Sequence, residues 1–154
     1  FLKEKDTKLI PVRSYKKFLK SYIQYFNECP DFVGDPNSDV DQDDLPALIE
    51  YLLGTLDSDS SDAGDAFQVG TVDLTGESYL TFGATYKVGA DQVEFSAFIS
   101  TDLEIWSDQP SDVLVHDQQF NGDGTASIVW RSAKAFSEEP RQFFRLRVSE
   151  IANP

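Results

Sequence analysis

Residues 80–88 read Leu80-Thr81-Phe82-Gly83-Ala84-Thr85-Tyr86-Lys87-Val88, and apolar side chains occupy every second position. Side chains of a β-strand point alternately to the two faces of a sheet, so this order predicts a strand with one buried and one solvated face. An amphipathic helix would need apolar residues three and four positions apart. The stretch therefore predicts a strand of an antiparallel sheet that buries one face.

Similar stretches make up most of the chain beyond residue 65. They lie near 66–74, 93–99, 112–116, 126–130 and 144–148. Turn signals such as Asn121-Gly-Asp-Gly separate neighbouring stretches. Six or seven strands of this kind predict a mainly β fold, an antiparallel β-sandwich of the immunoglobulin/fibronectin-like type over residues 66–154.

The N-terminal part of the chain has a helical period instead. A first helix is predicted to begin at Ser14, with the apolar stripe Tyr15, Phe18, Leu19, Tyr22, Ile23 and Phe26. A second has the stripe Leu45, Leu48, Ile49, Leu52 and Leu53. Asp43 or Asp44 is placed to cap its start, Pro46 fits its first turn, and Gly54 is placed to end it. We expect these two short helices to precede the sandwich and to pack on each other.

An acidic loop joins the predicted helices and reads Asp39-Val-Asp41-Gln-Asp43-Asp44-Leu45-Pro-Ala-Leu-Ile-Glu50. Carboxylates at the first, third, fifth and twelfth positions suit calcium, which takes six to eight oxygen ligands in an EF-hand loop. Ala47 has no side-chain oxygen, so water would serve the ninth position. The predicted calcium ligands are the side chains of Asp39, Asp41, Asp43 and Glu50 and the backbone carbonyl of Leu45.

Two residues distinguish this loop from that of a regulatory EF-hand. Asp44 stands where glycine normally allows a sharp turn with positive φ, and we expect it to weaken the affinity for calcium. Pro46 stands where paired EF-hands exchange a short β-bridge, and proline cannot donate that hydrogen bond. A single unpaired loop of this kind indicates a structural calcium site rather than a sensor.

The charge distribution excludes some partners and divides the chain. Net charge is −14, and residues 35–65 hold ten acidic residues and no basic one. Nucleic acid would be repelled by such a surface, and no apolar run is long enough to span a membrane. A divalent cation would relieve the repulsion in the acidic stretch, although a solvated acidic linker is the alternative. We predict a helical segment with the calcium loop (1–56), an acidic linker (57–65) and the sandwich (66–154).

No pattern in the sequence indicates catalysis. His116 is the single histidine, and no nucleophile, soft-metal cluster or phosphate loop accompanies it. We therefore expect a noncatalytic protein. Exposed aromatic residues of a sandwich often bind sugar rings, so a carbohydrate-binding module that holds a polysaccharide through Trp106 is the alternative function.

Three motifs follow one another along the chain. The first is Tyr15-Lys-Lys-Phe18 followed by the stretch from Asp35 to Thr55, which contains the acidic loop and Glu50-Tyr-Leu-Leu-Gly54. The second is Phe98-Ile-Ser100-Thr-Asp102-Leu103-Glu-Ile-Trp106, and the third is Arg141-Gln-Phe143-Phe144-Arg145-Leu146-Arg147-Val148. In this order they resemble a module near the C-terminus of many large secreted bacterial proteins, whose loop and helix are similar to dockerin and thrombospondin type 3 calcium loops. The resemblance covers roughly residues 15–150.

This resemblance implies a place and a role for the chain. It implies a noncatalytic C-terminal module of a secreted or cell-surface protein, used for attachment, sorting or structural support. Its partners would be calcium and either upstream domains of a longer chain or neighbouring subunits. The start at Phe1 and the lack of methionine suggest a mature or excised piece of such a product.

Overall fold

A computed structural model describes residues 31–62 and 67–151 of the chain. Its elements are helix α1 (Ala47–Leu53) and strands β1 (Phe67–Leu74), β2 (Glu77–Lys87), β3 (Val93–Ser100), β4 (Val113–Phe120), β5 (Thr125–Ser132) and β6 (Phe143–Glu150). Each of the six strands overlaps a stretch in which a strand was predicted. The first predicted helix, at 14–26, lies outside the described residues.

The six strands form two antiparallel sheets. One sheet has the order β1-β2-β5-β4, and the other pairs β3 with β6. Phe82 lies opposite Trp130 in the first sheet, and Ala97 lies opposite Leu146 in the second. The register between β4 and β5 shifts at a bulge after Val115. The fold of the described residues is therefore mainly β and antiparallel, as predicted.

One hydrophobic core joins the two sheets. The ring of Phe82 in β2 stacks on the ring of Phe144 in β6, with centroids 5.8 Å apart. Phe95 of β3 meets Trp130 of β5 edge-on at 6.1 Å. The buried core residues are Phe82, Ala84, Ala97, Ile99, Val113, Ile128 and Trp130. These contacts place β6 over β2 and β3 over β5.

Helix α1 packs on one end of this core. Leu48 and Leu52 are buried against Ala90 and Val93, which flank the turn between β2 and β3. The loop–helix segment and the sheets thus share apolar surface, and burial of a leucine side chain contributes about 2 kcal/mol. No helix within 31–62 or 67–151 is long and apolar enough to cross a bilayer.

The ends of α1 differ in how well the sequence predicted them. Gly54 ends the helix in the left-handed conformation, with φ of 82°, and its N–H bonds the carbonyl of Glu50. At the start, Pro46 is the N-cap residue and no side chain caps the helix. The predicted cap by Asp43 or Asp44 is therefore wrong, because the Asp43 carboxylate accepts a hydrogen bond from the N–H of Leu45, one residue before the cap. Leu45 itself precedes the helix.

Candidate metal centre

Three of the predicted ligands meet in one cluster. Asp39, Asp41 and Asp43 each place a carboxylate oxygen within 4.8 Å of the other two. All three side chains are half-buried. Carboxylates this close repel one another strongly unless a cation or proton lies between them. The cluster could therefore hold a metal ion.

Backbone hydrogen bonds fix the carboxylates in the loop. The N–H of Asp43 donates to Oδ1 of Asp39 at 3.2 Å and to Oδ1 of Asp41 at 3.3 Å. The N–H of Leu45 donates to Oδ1 of Asp43 at 2.8 Å. These short-range bonds are typical of aspartate in turns, and they wrap the chain around the cluster.

The turn within the loop needs two residues in the left-handed region. Gln42 has φ of 63° and Asp44 has φ of 71°. Asp44 therefore adopts the positive φ that was predicted for the position usually held by glycine. Aspartate tolerates this region better than most residues but less well than glycine.

Contacts from outside the loop hold its first residues in place. Asp57, beyond helix α1, accepts hydrogen bonds from the N–H of Val40 at 2.8 Å and from Oγ of Ser38 at 3.2 Å. The N–H of Ala47 donates to the carbonyl of Ser38 at 2.7 Å. Residues 57–62 belonged to the predicted linker, yet Asp57 ties this stretch to the loop. No local pattern in the sequence indicated a role for Ser38, since its partner Asp57 lies 19 residues away.

Glu50 is the most buried acidic side chain of the site. It is 1% exposed, and its Oε1 accepts a hydrogen bond from Oγ1 of Thr55 at 3.3 Å. Burial raises its pKa to about 7, and the negative charges of Asp41, Asp43 and Asp57 add to the effect. The charged groups that act on Glu50 are thus all acidic.

The same causes act on Asp41. Burial and the charge of Asp43 raise the pKa of the Asp41 carboxyl above its usual value. The raised pKa values of these two carboxyl groups, Asp41 and Glu50, indicate a site in which negative charge is not balanced.

The donor atoms fit a hard cation. Oδ2 of Asp41, Oδ2 of Asp43 and Oε2 of Glu50 are buried and accept no hydrogen bond. A buried carboxylate oxygen without a partner is costly, and a coordinated cation would remove that cost. Glu50 lies outside the tight group of three aspartates. The N–H of Leu45 donates to Asp43, which does not test whether its carbonyl binds a metal. The ligand roles predicted for the Glu50 carboxylate and the Leu45 carbonyl therefore remain predictions.

Trp106, the predicted sugar-binding residue, lies far along the chain in the segment after β3. The guanidinium of Arg145 covers one face of its ring at 4.3 Å from the centroid. Its Nε1 donates to the carbonyl of Leu103 at 3.2 Å. The Ser100 hydroxyl and the Asp102 carboxylate accept backbone hydrogen bonds in the same turn. These contacts give Trp106 a packing role in this turn.

Comparison of the chain with known protein families, with curated proteins and with solved structures gives no match. The assignment of function therefore rests on the chemistry of the site.

Proposed function

We propose that this protein is a noncatalytic module that binds one structural calcium ion at Asp39, Asp41, Asp43 and Glu50, with the Leu45 carbonyl as a further ligand. The observation that carries the proposal is the set of buried, unpartnered carboxylate oxygens on Asp41, Asp43 and Glu50. Each of these oxygens would gain a partner from a single ion bound in the loop.

The ligand chemistry favours calcium over other metals. The described cluster contains carboxylates alone, without histidine or cysteine, which is unsuited to zinc and other softer ions. Magnesium prefers a strict octahedron and keeps several waters, whereas calcium accepts many oxygens in an irregular loop. Asp44 in place of glycine lowers the expected affinity. Weak calcium sites occur in extracellular modules, where calcium is abundant.

The site also has a mechanical role in this proposal. Calcium would fix the loop that precedes α1, and α1 packs through Leu48 and Leu52 on the ends of β2 and β3. The ion would thus stabilise the junction between the loop–helix segment and the immunoglobulin-like sandwich. A calcium-stabilised module of this kind suits the end of a secreted or cell-surface bacterial protein, where it would serve attachment, sorting or structural support.

Isothermal titration calorimetry on chelator-treated protein tests the proposal. We expect binding of about one calcium ion per chain, weaker binding of magnesium, and loss of calcium binding in Asp41→Asn. Asp117→Asn, an exposed aspartate on β4, is the matched control and should bind calcium like the unmodified protein. Absence of heat at millimolar calcium, or equal binding by Asp41→Asn, would refute the calcium site.

A further inference from the structure

A short segment after helix α1 contacts both ends of the acidic loop. The segment is Thr55-Leu-Asp57. Thr55 bonds the side chain of Glu50 at the end of the loop. Asp57 bonds the two residues that flank Asp39 at its start. The first and the twelfth of the proposed ligand positions are therefore held by residues that lie outside the loop itself.

Thr55 is bonded to Glu50 through both its backbone and its hydroxyl. Its N–H donates to the carbonyl of Glu50 at 3.1 Å, and its Oγ1 donates to Oε1 of the Glu50 carboxylate at 3.3 Å. Gly54, in the left-handed conformation, ends the helix and turns the chain back toward Glu50. These two bonds fix the Thr55 hydroxyl relative to one oxygen of the carboxylate.

The other oxygen of the Glu50 carboxylate has no partner among the described residues. Glu50 is 1% exposed, and its Oε2 is buried and accepts no hydrogen bond. Burial raises the pKa of Glu50 to about 7, and three nearby acidic groups, Asp41 among them, add to the effect. A buried oxygen beside other carboxylates is a ready ligand for a cation, and a hydrogen bond to its sister oxygen orients it. The Thr55 bond therefore leaves Oε2 as the oxygen that is available to an ion.

Asp57 holds the start of the loop through both of its carboxylate oxygens. Oδ1 accepts a hydrogen bond from the N–H of Val40 at 2.8 Å, and Oδ2 accepts one from the Ser38 hydroxyl at 3.2 Å. Asp57 differs in this respect from Glu50, which keeps one buried oxygen without a hydrogen bond. Its two bonds lie on either side of Asp39 in sequence. Asp57 is thus placed to orient the first proposed ligand rather than to bind an ion.

From these contacts we propose that Thr55 and Asp57 are positioning residues of the metal site, and that the Thr55 hydroxyl directs Oε2 of Glu50 toward the ion. This inference rests on the calcium site proposed above. A hydrogen-bond partner of a metal ligand orients that ligand before the ion binds, and its loss typically lowers metal affinity about 10- to 100-fold. Neither residue touches the ion in this arrangement. The unit that determines calcium affinity then extends beyond the twelve-residue loop to residue 57.

Calorimetric titration of the chelator-treated whole chain with calcium tests the role of Thr55. Thr55→Val keeps a branched side chain but removes the hydroxyl, so calcium binding should weaken about tenfold. Thr55→Ser keeps the hydroxyl and should bind calcium about as tightly as the unmodified protein. Thr71→Val removes an exposed hydroxyl from β1 and is the matched control, with unchanged binding.

The role of Asp57 is tested without a change of charge. Ser38→Ala removes one of the two hydrogen bonds that Asp57 accepts, and should weaken calcium binding about fivefold. Urea unfolding in chelator first shows that each variant is folded before calcium is added. A purely structural role of Thr55 or Ser38 would lower stability equally in chelator and in calcium, and would leave the calcium affinity unchanged.

The outcomes separate this inference from the calcium site on which it rests. If the unmodified protein binds no calcium, both are overturned. If it binds calcium and Thr55→Val and Ser38→Ala bind equally tightly, the calcium site stands and the positioning role is wrong. If Thr55→Ser binds as weakly as Thr55→Val, the hydroxyl is not the group that orients Glu50.

Discussion

Replacement of Glu50 by glutamine should have opposite effects on stability with and without calcium. Without calcium, the ionised Glu50 is buried near Asp41, Asp43 and Asp57, and all of these charges disfavour its ionisation. Glutamine has nearly the same shape but no charge, so the variant should be more stable than the unmodified protein above neutral pH. With calcium, the variant lacks a carboxylate ligand and should gain much less stability.

The size and the pH range of the effect follow from the pKa of Glu50. The pKa is raised from the ordinary value of 4.5 to about 7 in the folded protein. A group that binds its proton more tightly when folded favours folding at low pH, and this contribution is lost as pH rises between the two values. At about 1.4 kcal/mol per pH unit the shift corresponds to about 3 kcal/mol, and solvent screening reduces the expected effect to about 2 kcal/mol.

The assay is urea unfolding from about pH 5 to about pH 8, in chelator and in excess calcium. In chelator, the free energy of unfolding of the unmodified protein should fall by about 2 kcal/mol over this pH range, relative to that of Glu50→Gln. In calcium at about 100 times the dissociation constant, the free energy of unfolding of the unmodified protein should rise by about 2.7 kcal/mol. That of the variant should rise by much less. Glu104→Gln, at an exposed position, is the matched control and should follow the unmodified protein. Parallel pH profiles for Glu50→Gln and the unmodified protein would refute the reasoning.

Three further substitutions test the surroundings of the site. Asp44→Gly removes a side chain from a residue with φ of 71°, and should raise stability by about 0.5–1 kcal/mol in urea unfolding and tighten calcium binding in calorimetry. Ser38→Ala removes the hydroxyl that donates to Asp57, and should lower the stability of the calcium-bound protein by about 1 kcal/mol in the same unfolding assay. Trp106→Ala removes the ring under the Arg145 guanidinium. It should lower the free energy of unfolding by about 2 kcal/mol and therefore lower the melting temperature measured by circular dichroism.

Each of these predictions has an outcome that contradicts it. If Asp44→Gly is less stable than the unmodified protein, the Asp44 carboxylate contributes more to stability than the positive φ of this residue costs. Unchanged stability of Ser38→Ala would mean that the bond to Asp57 does not hold the loop. An unchanged melting temperature of Trp106→Ala, together with loss of polysaccharide binding, would favour the carbohydrate-binding alternative over a packing role.

The sequence predicted the local features of the site and not its wider contacts. The spacing of Asp39, Asp41 and Asp43 was enough to predict that they meet, because they lie in one tight turn. It was also enough to predict a positive φ at Asp44. The contacts of Asp57 with the start of the loop depend on how the chain returns after α1, and no local pattern records that path.

The same division applies to the strands. Alternation of apolar and polar residues determined where the six strands lie, because a period of two fixes which side chains share a face. It did not determine which strands pair, since pairing depends on contacts between residues distant in sequence. Only the β3–β6 register, for example, places Phe98 opposite Arg145.

The sequence by itself determined the strand positions, the end of α1 at Gly54 and the acidic residues of the loop, because each depends on neighbours a few residues away. Only the tertiary structure decided that Glu50 is buried, that Asp57 holds the loop, and that Phe98 lies opposite Arg145. Burial and sheet order are set by the packing of distant segments, and the free energy of that packing is shared among many residues rather than encoded in any one stretch.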